Sequence, residues 1–132
     1  MSVALFIVAE RDVPGFDVFV NGKALGHAKH LDRLAEHAGV RPLMAFFSQD
    51  PVEAASFLED EGIEPPEGGF PPVEWYSAKD GLRTVRGLLS YLAEHPNAVP
   101  GVPALVEDLR QFESVLSRLA SEGVRWHLAV DF

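Results

Sequence analysis

Five histidines and no cysteine set the chemistry open to this 132-residue chain. Without a thiol there is no disulfide, no thiolate metal site and no cysteine nucleophile. His27 and His30 are spaced i, i+3, close enough on one helix to share a metal ion. His37 lies two turns beyond His30, about 10 Å away at 1.5 Å per residue, too far to join them. No carboxylate completes a His-Glu-x-x-His pattern. The competing reading is a polar helix face shared with Lys29, Arg33 and Glu36, so no metal and no cofactor is expected.

A second candidate lies at Glu74-Trp75-Tyr76-Ser77, where two aromatics lead into a helix N-terminus. Backbone N–H groups there attract anions, and Arg83 and Arg86 follow on the same helix. With Arg125 and His127 they outline a pocket for a carboxylate or phosphate ligand. Against it, Ser77 and Asp80 already occupy the helix start, and large aromatics commonly anchor loops to a core. Gly68-Gly69 sits among prolines and makes no phosphate cradle.

His127 has the side chain for general acid–base work near neutrality. Asp131 is four strand residues away, about 13 Å, and cannot orient it. No Gly-x-Ser-x-Gly elbow supplies a serine nucleophile. The plain alternative is a solvated strand face. No constellation identifies a reaction, and the reading leans away from an enzyme.

The charge is the third signal. The chain carries a net charge of −9, from 20 acids and 11 bases. Residues 1–48 balance to zero and residues 77–132 sum to −1. Residues 49–76 hold eight acids and no base, with five of the ten prolines. Glu59, Asp60, Glu61, Glu64 and Glu67 form the densest run. They fit no calcium loop, which needs acids at alternate positions around a glycine. Such a run is commonly just a solvated face. It also suits docking of a basic protein, which the field would steer at low salt. Nucleic acid is excluded as a partner, because phosphate binding needs clustered Lys and Arg.

The elements that position these residues follow from periodicity. Residues 3–10 are a continuous apolar run of strand length, rich in Val, Phe and Ile. Apolar residues on both faces imply a strand covered on two sides. Residues 16–20 have the composition of a short strand. Asn21-Gly22 suits a hairpin turn. It also suits a helix start over 23–38, where Ala24, Ala28, Leu31, Ala35 and Ala38 repeat at helical spacing. The helix is favoured, with Asn21 as N-cap, Gly39 as C-terminal stop and Gly26 as a weak point. Residues 42–48 are short enough to be strand or helix.

Asp50-Pro51 starts a helix over 51–61, carrying Val52, Ala55, Phe57 and Leu58 and ending near Gly62. Residues 64–72 are irregular, since the proline pairs forbid helix and ladder alike. Ser77 caps a helix over 78–95, with Leu82, Val85, Leu89 and Leu92 on one face, Leu88 beside them, and His95-Pro96 as the stop. The next helix, 103–122, buries Leu105, Leu109, Phe112, Leu116 and Leu119. Residues 124–132 alternate as a half-buried strand, with Arg125, His127, Ala129 and Asp131 on the outer face.

These elements predict one α+β domain over 1–132. A small sheet pairs the terminal strands, about four helices cover it, and an acidic, proline-rich insert occupies 49–76. No apolar run reaches the 18 or so residues of a membrane span. No basic stretch precedes the apolar start, which argues against a signal peptide. Scarce Lys, Ile and Asn beside abundant Ala, Gly, Pro and Arg fit a bacterial, cytoplasmic source. The leading functional expectation is a non-catalytic interaction domain that contacts a basic protein through its acidic segment. The alternative is a small-molecule site around Trp75, Tyr76, Arg83 and His127. Self-association, acidic segment against the His/Arg helix of a second copy, is a third.

Overall fold

The computed structural model describes residues 4–28, 30–64, 67, 69 and 71–131, the side chains of Phe57 and Asp131 excepted. The expectations for Val3, Lys29, Pro65-Pro66, Gly68, the Phe57 and Asp131 side chains, and Phe132 lie outside that set. The chain order is β1 (Ala4–Ala9), α1 (Lys23–His27), α2 (Leu31–Ala38), a 3-10 turn (Leu43–Phe46), α3 (Pro51–Asp60), α4 (Ala78–Glu94), α5 (Val102–Ser121) and β2 (Trp126–Asp131). This is the expected α+β class.

The terminal strands pair antiparallel, with Ala4 opposite Asp131 and Ala9 opposite Trp126. Directly opposed residues share a face. Leu5, Ile7, Trp126 and Leu128 therefore point inward, and all four are buried. Phe6, Val8, His127 and Ala129 point outward. β2 is the inner strand. Along its free edge, Ser48 N–H donates to the Leu128 carbonyl at 3.1 Å, and Tyr76 and Trp126 exchange backbone hydrogen bonds at 2.7 and 3.0 Å. Residues 42–48, left open between strand and helix, take both forms in part. Leu43–Phe46 is the 3-10 turn, and Phe47 bridges β2.

The α4–α5 hairpin forms the main helical wall. Its seam holds Val85, Leu88 and Leu92 from α4, and Leu109, Phe112 and Leu116 from α5. Leu88 is buried while Leu89 is only partly so. Where α4 crosses the sheet, a Cβ on Gly81 would sit 2.5 Å from the Trp126 ring. Only glycine permits that approach. Gly22 plays the same part beside β1, where a Cβ would meet the Leu5 carbonyl at 1.7 Å.

The helix expected over 23–38 is two helices. The chain turns at Ala28, which is extended, and at His30, which holds a left-handed φ of 70°. The cause is phase. Leu25 and Leu34 are both buried, yet nine residues at 3.6 per turn place them about half a turn apart on one straight helix. Breaking the helix lets α1 seat Leu25 against β1 and α5 while α2 seats Leu34 and Ala35 toward α4. The alanine stripe that suggested one helix buries too little area to prevail over two leucines. Residues 16–20 form no strand; they run as irregular chain.

A buried carboxylate holds α1 in place. Asp108 of α5, 5% exposed, accepts the backbone N–H groups of Ala24 at 2.9 Å and Leu25 at 3.2 Å. Asn21 assists by accepting the Lys23 N–H at 3.3 Å, while the residue preceding the helix is Gly22. Among the described residues, no helix is long and apolar enough to cross a membrane.

Candidate functional site

Strand alternation predicted a solvated outer face for β2. The structure covers it: His127 is only 5% exposed. The cover comes from described residues of the segment 47–75, which leaves β2 at Phe47 and returns to it at Tyr76. Its two ends are fastened together, since the Ser48 hydroxyl accepts the Glu74 N–H at 2.8 Å. Within it α3 begins as the sequence implies. Asp50 Oδ1 accepts the N–H groups of Val52 and Glu53, and Pro51 occupies the first turn. The helix stops at Gly62, whose φ of 70° only glycine adopts freely.

The cover does not close down on the sheet. None of the described side chains of α3 is buried. A cavity of about 730 Å³ remains between α3 and the outer face of the sheet. Phe6, Val8 and Ala129 form its floor, Phe47, Leu58 and Trp75 its walls. Its polar groups are Ser48, Gln49, Asp50, Glu53 and His127, with no Lys or Arg among the described lining residues. The Trp75 and His127 rings lie 4.9 Å apart, tilted by 52°. His127 Nδ1 lies 3.0 Å from the Leu128 carbonyl. A carbonyl only accepts, so Nδ1 carries the hydrogen and Nε2 is the open position.

The structure brings Trp75 and His127 together and sends the other pocket candidates elsewhere. The Tyr76 ring packs edge-on against Phe46, 5.5 Å between centroids, and its hydroxyl donates to Glu74 at 2.8 Å. That hydrogen bond is the largest cause of its raised pKa. Arg83 is exposed and lies 3.7 Å from Asp80. Arg86 pairs with Glu113 of α5 at 3.2 Å. Arg125 makes a two-pronged contact with Glu10, both at 2.8 Å. This contact draws the Glu10 carboxyl below its ordinary range and raises Arg125. The expected arginine-lined anion site is thereby dispersed, because each guanidinium already has a carboxylate neighbour. The cavity that forms instead has an acidic rim.

The metal candidates also part. With the helix broken after His27, the i, i+3 spacing of His27 and His30 no longer places them on one helical face. His30 instead lines a smaller cavity of about 480 Å³ with Arg33, His37, Tyr91 and His95. There His95 stacks on Tyr91 at 4.2 Å, and His37 Nδ1 lies 3.3 Å from the Tyr91 hydroxyl. Among the described residues no group of three His, Asp or Glu side chains is arranged to hold a metal ion.

The acidic run itself stays on the outside. Glu59, Asp60, Glu61, Glu64 and Glu67 are exposed. The four ion pairs among the described residues, Arg83–Asp80, Arg86–Glu113, Arg118–Glu122 and Arg125–Glu10, use no acid of 49–76. Beside the acids, Val52 is 75% and Ile63 54% exposed.

Sequence reasoning missed Phe6, Val8, Phe47, Asp50 and Glu53 as cavity residues. A usable signal existed, since β1 is apolar on both faces and the second face needs a cover. The sequence does not say that the cover would stand off. Asp108 was also missed, although it sits among Leu105, Leu109 and Phe112 on the apolar face of α5. The chain matches no known family model, no curated protein and no solved structure.

Proposed function

We propose that this protein is a non-catalytic binding module whose working surface is the acidic segment, and that its partner is a basic protein. One observation carries the reading. The segment's charge is exposed and free of ion pairs among the described residues, and it lies beside exposed Val52 and Ile63. Large apolar side chains are exposed elsewhere too, at Phe19 and Met44, so the mark of this segment is their combination with unpaired charge. A docking surface uses apolar side chains for affinity and charge for steering and register. The loose seating of α3 further supports it, because a helix with no buried described side chain leaves its flanks open to contact.

The test compares the wild-type chain with a variant neutralised at Glu59, Asp60, Glu61, Glu64 and Glu67, each immobilised and exposed to source lysate over a salt series. The expected result is a basic protein retained at low salt, released at high salt and absent from the variant. Equal retention by both chains overturns the reading. Light scattering over the same salt series tests self-association, which requires a salt-sensitive dimer.

A further inference from the structure

We infer that the cavity under α3 is a binding site for a small organic cation: a flat apolar body carrying an amine. The shape and lining set the body. Phe6, Phe47 and Trp75 present aromatic surface around about 730 Å³, a volume in the range of small-molecule sites.

The polar groups set the head. His127 is only 5% exposed, and its Nδ1–H is committed to the Leu128 carbonyl. Nε2 has no partner among the described residues, yet among those residues no fully enclosed side-chain nitrogen or oxygen lacks one. Nε2 therefore stays open to free space, and His127 lines this cavity. In the neutral ring that nitrogen accepts a hydrogen bond, so it selects a donor. Asp50 and Glu53, with no Lys or Arg among the described lining residues, favour positive charge and oppose a carboxylate or phosphate. An amine meets both conditions, giving an N–H to Nε2 and its charge to the acidic rim. An aromatic body beside Trp75 adds stacking, and Trp75 also attracts a cation at its ring face.

The site does not depend on the acidic run at 59–67, which lies outside the lining. Calorimetry with 2-naphthylmethylamine and 2-naphthoate tests it on the full chain. The two probes share one apolar body and differ in the sign of the head. The amine is expected to bind at least about tenfold tighter than the carboxylate, the scale of one charged hydrogen bond made against one refused. Ala54→Trp fills the cavity from α3 and is expected to abolish binding with the melting curve retained. His127→Phe is expected to weaken the amine by about tenfold for the same reason. Should H127F fail to fold, the head-group preference and A54W decide between them. The inference is overturned if neither probe binds, if naphthoate binds as tightly as the amine, or if binding survives in A54W. The variant neutralised at 59–67 is expected to keep amine binding. Failure of the cavity and failure of the acidic docking surface are therefore read from different proteins.

Discussion

The two faces of β2 meet different neighbours. Inward, Trp126 and Leu128 have no exposed surface and lie against Phe46, α4 and the rest of one core. The Phe46 and Trp126 rings stack 5.1 Å apart, and Trp126 Nε1 donates to the Ser77 carbonyl at 3.2 Å. Outward, His127 and Ala129 face a cavity roofed by a helix with no buried described side chain. The same strand thus carries Trp126 and Leu128 in the core and His127 and Ala129 at a cavity. Core packing leaves no room for a ligand. Open space on this scaffold collects where the cover stands off the sheet.

The sharpest way to break that comparison is to truncate the tryptophan on each side. Trp126→Ala is expected to cost about 3–5 kcal/mol in urea unfolding, as for other fully buried aromatics. Trp75→Ala, on a half-buried side chain at a cavity wall, is expected to cost about 1 kcal/mol. Equal losses would mean that the outer face is core after all.

Asp108 and Glu10 extend the contrast to carboxylates. Asp108→Ala leaves two backbone N–H groups of α1 without acceptors and is expected to cost about 1–3 kcal/mol. Asp108→Asn keeps an acceptor and is expected to retain most of the stability. Burial is the largest cause of the raised Asp108 pKa, so the folded chain holds that proton more firmly than the unfolded one. Its contribution is therefore most favourable at low pH and declines as pH rises from the ordinary 3.8 through the raised value. Glu10 has the opposite sign, since the hydrogen bond from Arg125 lowers its pKa. Its contribution is full above the ordinary 4.5 and is lost as pH falls through the lowered value. Melting curves at pH 3 and pH 7 separate the two. Glu10→Gln should destabilise more at pH 7 than at pH 3, and Asp108→Asn should gain relative to wild type as pH rises.

Smaller effects are expected at the helix break and on the acidic surface. His30 is the only described residue other than glycine with positive φ. His30→Gly is expected to stabilise by about 1 kcal/mol by removing that strain. A loss instead would show that the imidazole contributes to the cavity it shares with His37 and His95. Neutralising Glu59, Asp60, Glu61, Glu64 and Glu67 one at a time is expected to leave stability within about 0.5 kcal/mol, as at ordinary surface positions. A larger change would mean that these acids serve the fold.

Much of the frame was legible from residue order. The heptad-like spacing of Leu105, Leu109, Phe112, Leu116 and Leu119 specifies α5, because five large side chains at one phase allow no other element. Ser77 and Asp50-Pro51 mark the starts of α4 and α3 through local backbone chemistry. The alternation from Trp126 to Val130 specifies a strand, and the twofold apolar character of β1 shows that its second face needs a cover. The acidic segment and its lack of bases are sequence facts outright.

Three things were settled only by tertiary contact. Helix 23–38 divides because Leu25 and Leu34 must reach different walls, and local spacing does not record where walls stand. The arginines at 83, 86 and 125 do not converge. Each faces a carboxylate, Asp80 one turn away and Glu113 and Glu10 brought by other elements, and that pairing is a product of packing. His127 is buried because a segment more than 50 residues upstream folds over it. Residue order by itself determined which side chains seek water and which seek a core. Packing decided which apolar face is filled and which is left hollow, because that depends on how closely two distant surfaces approach.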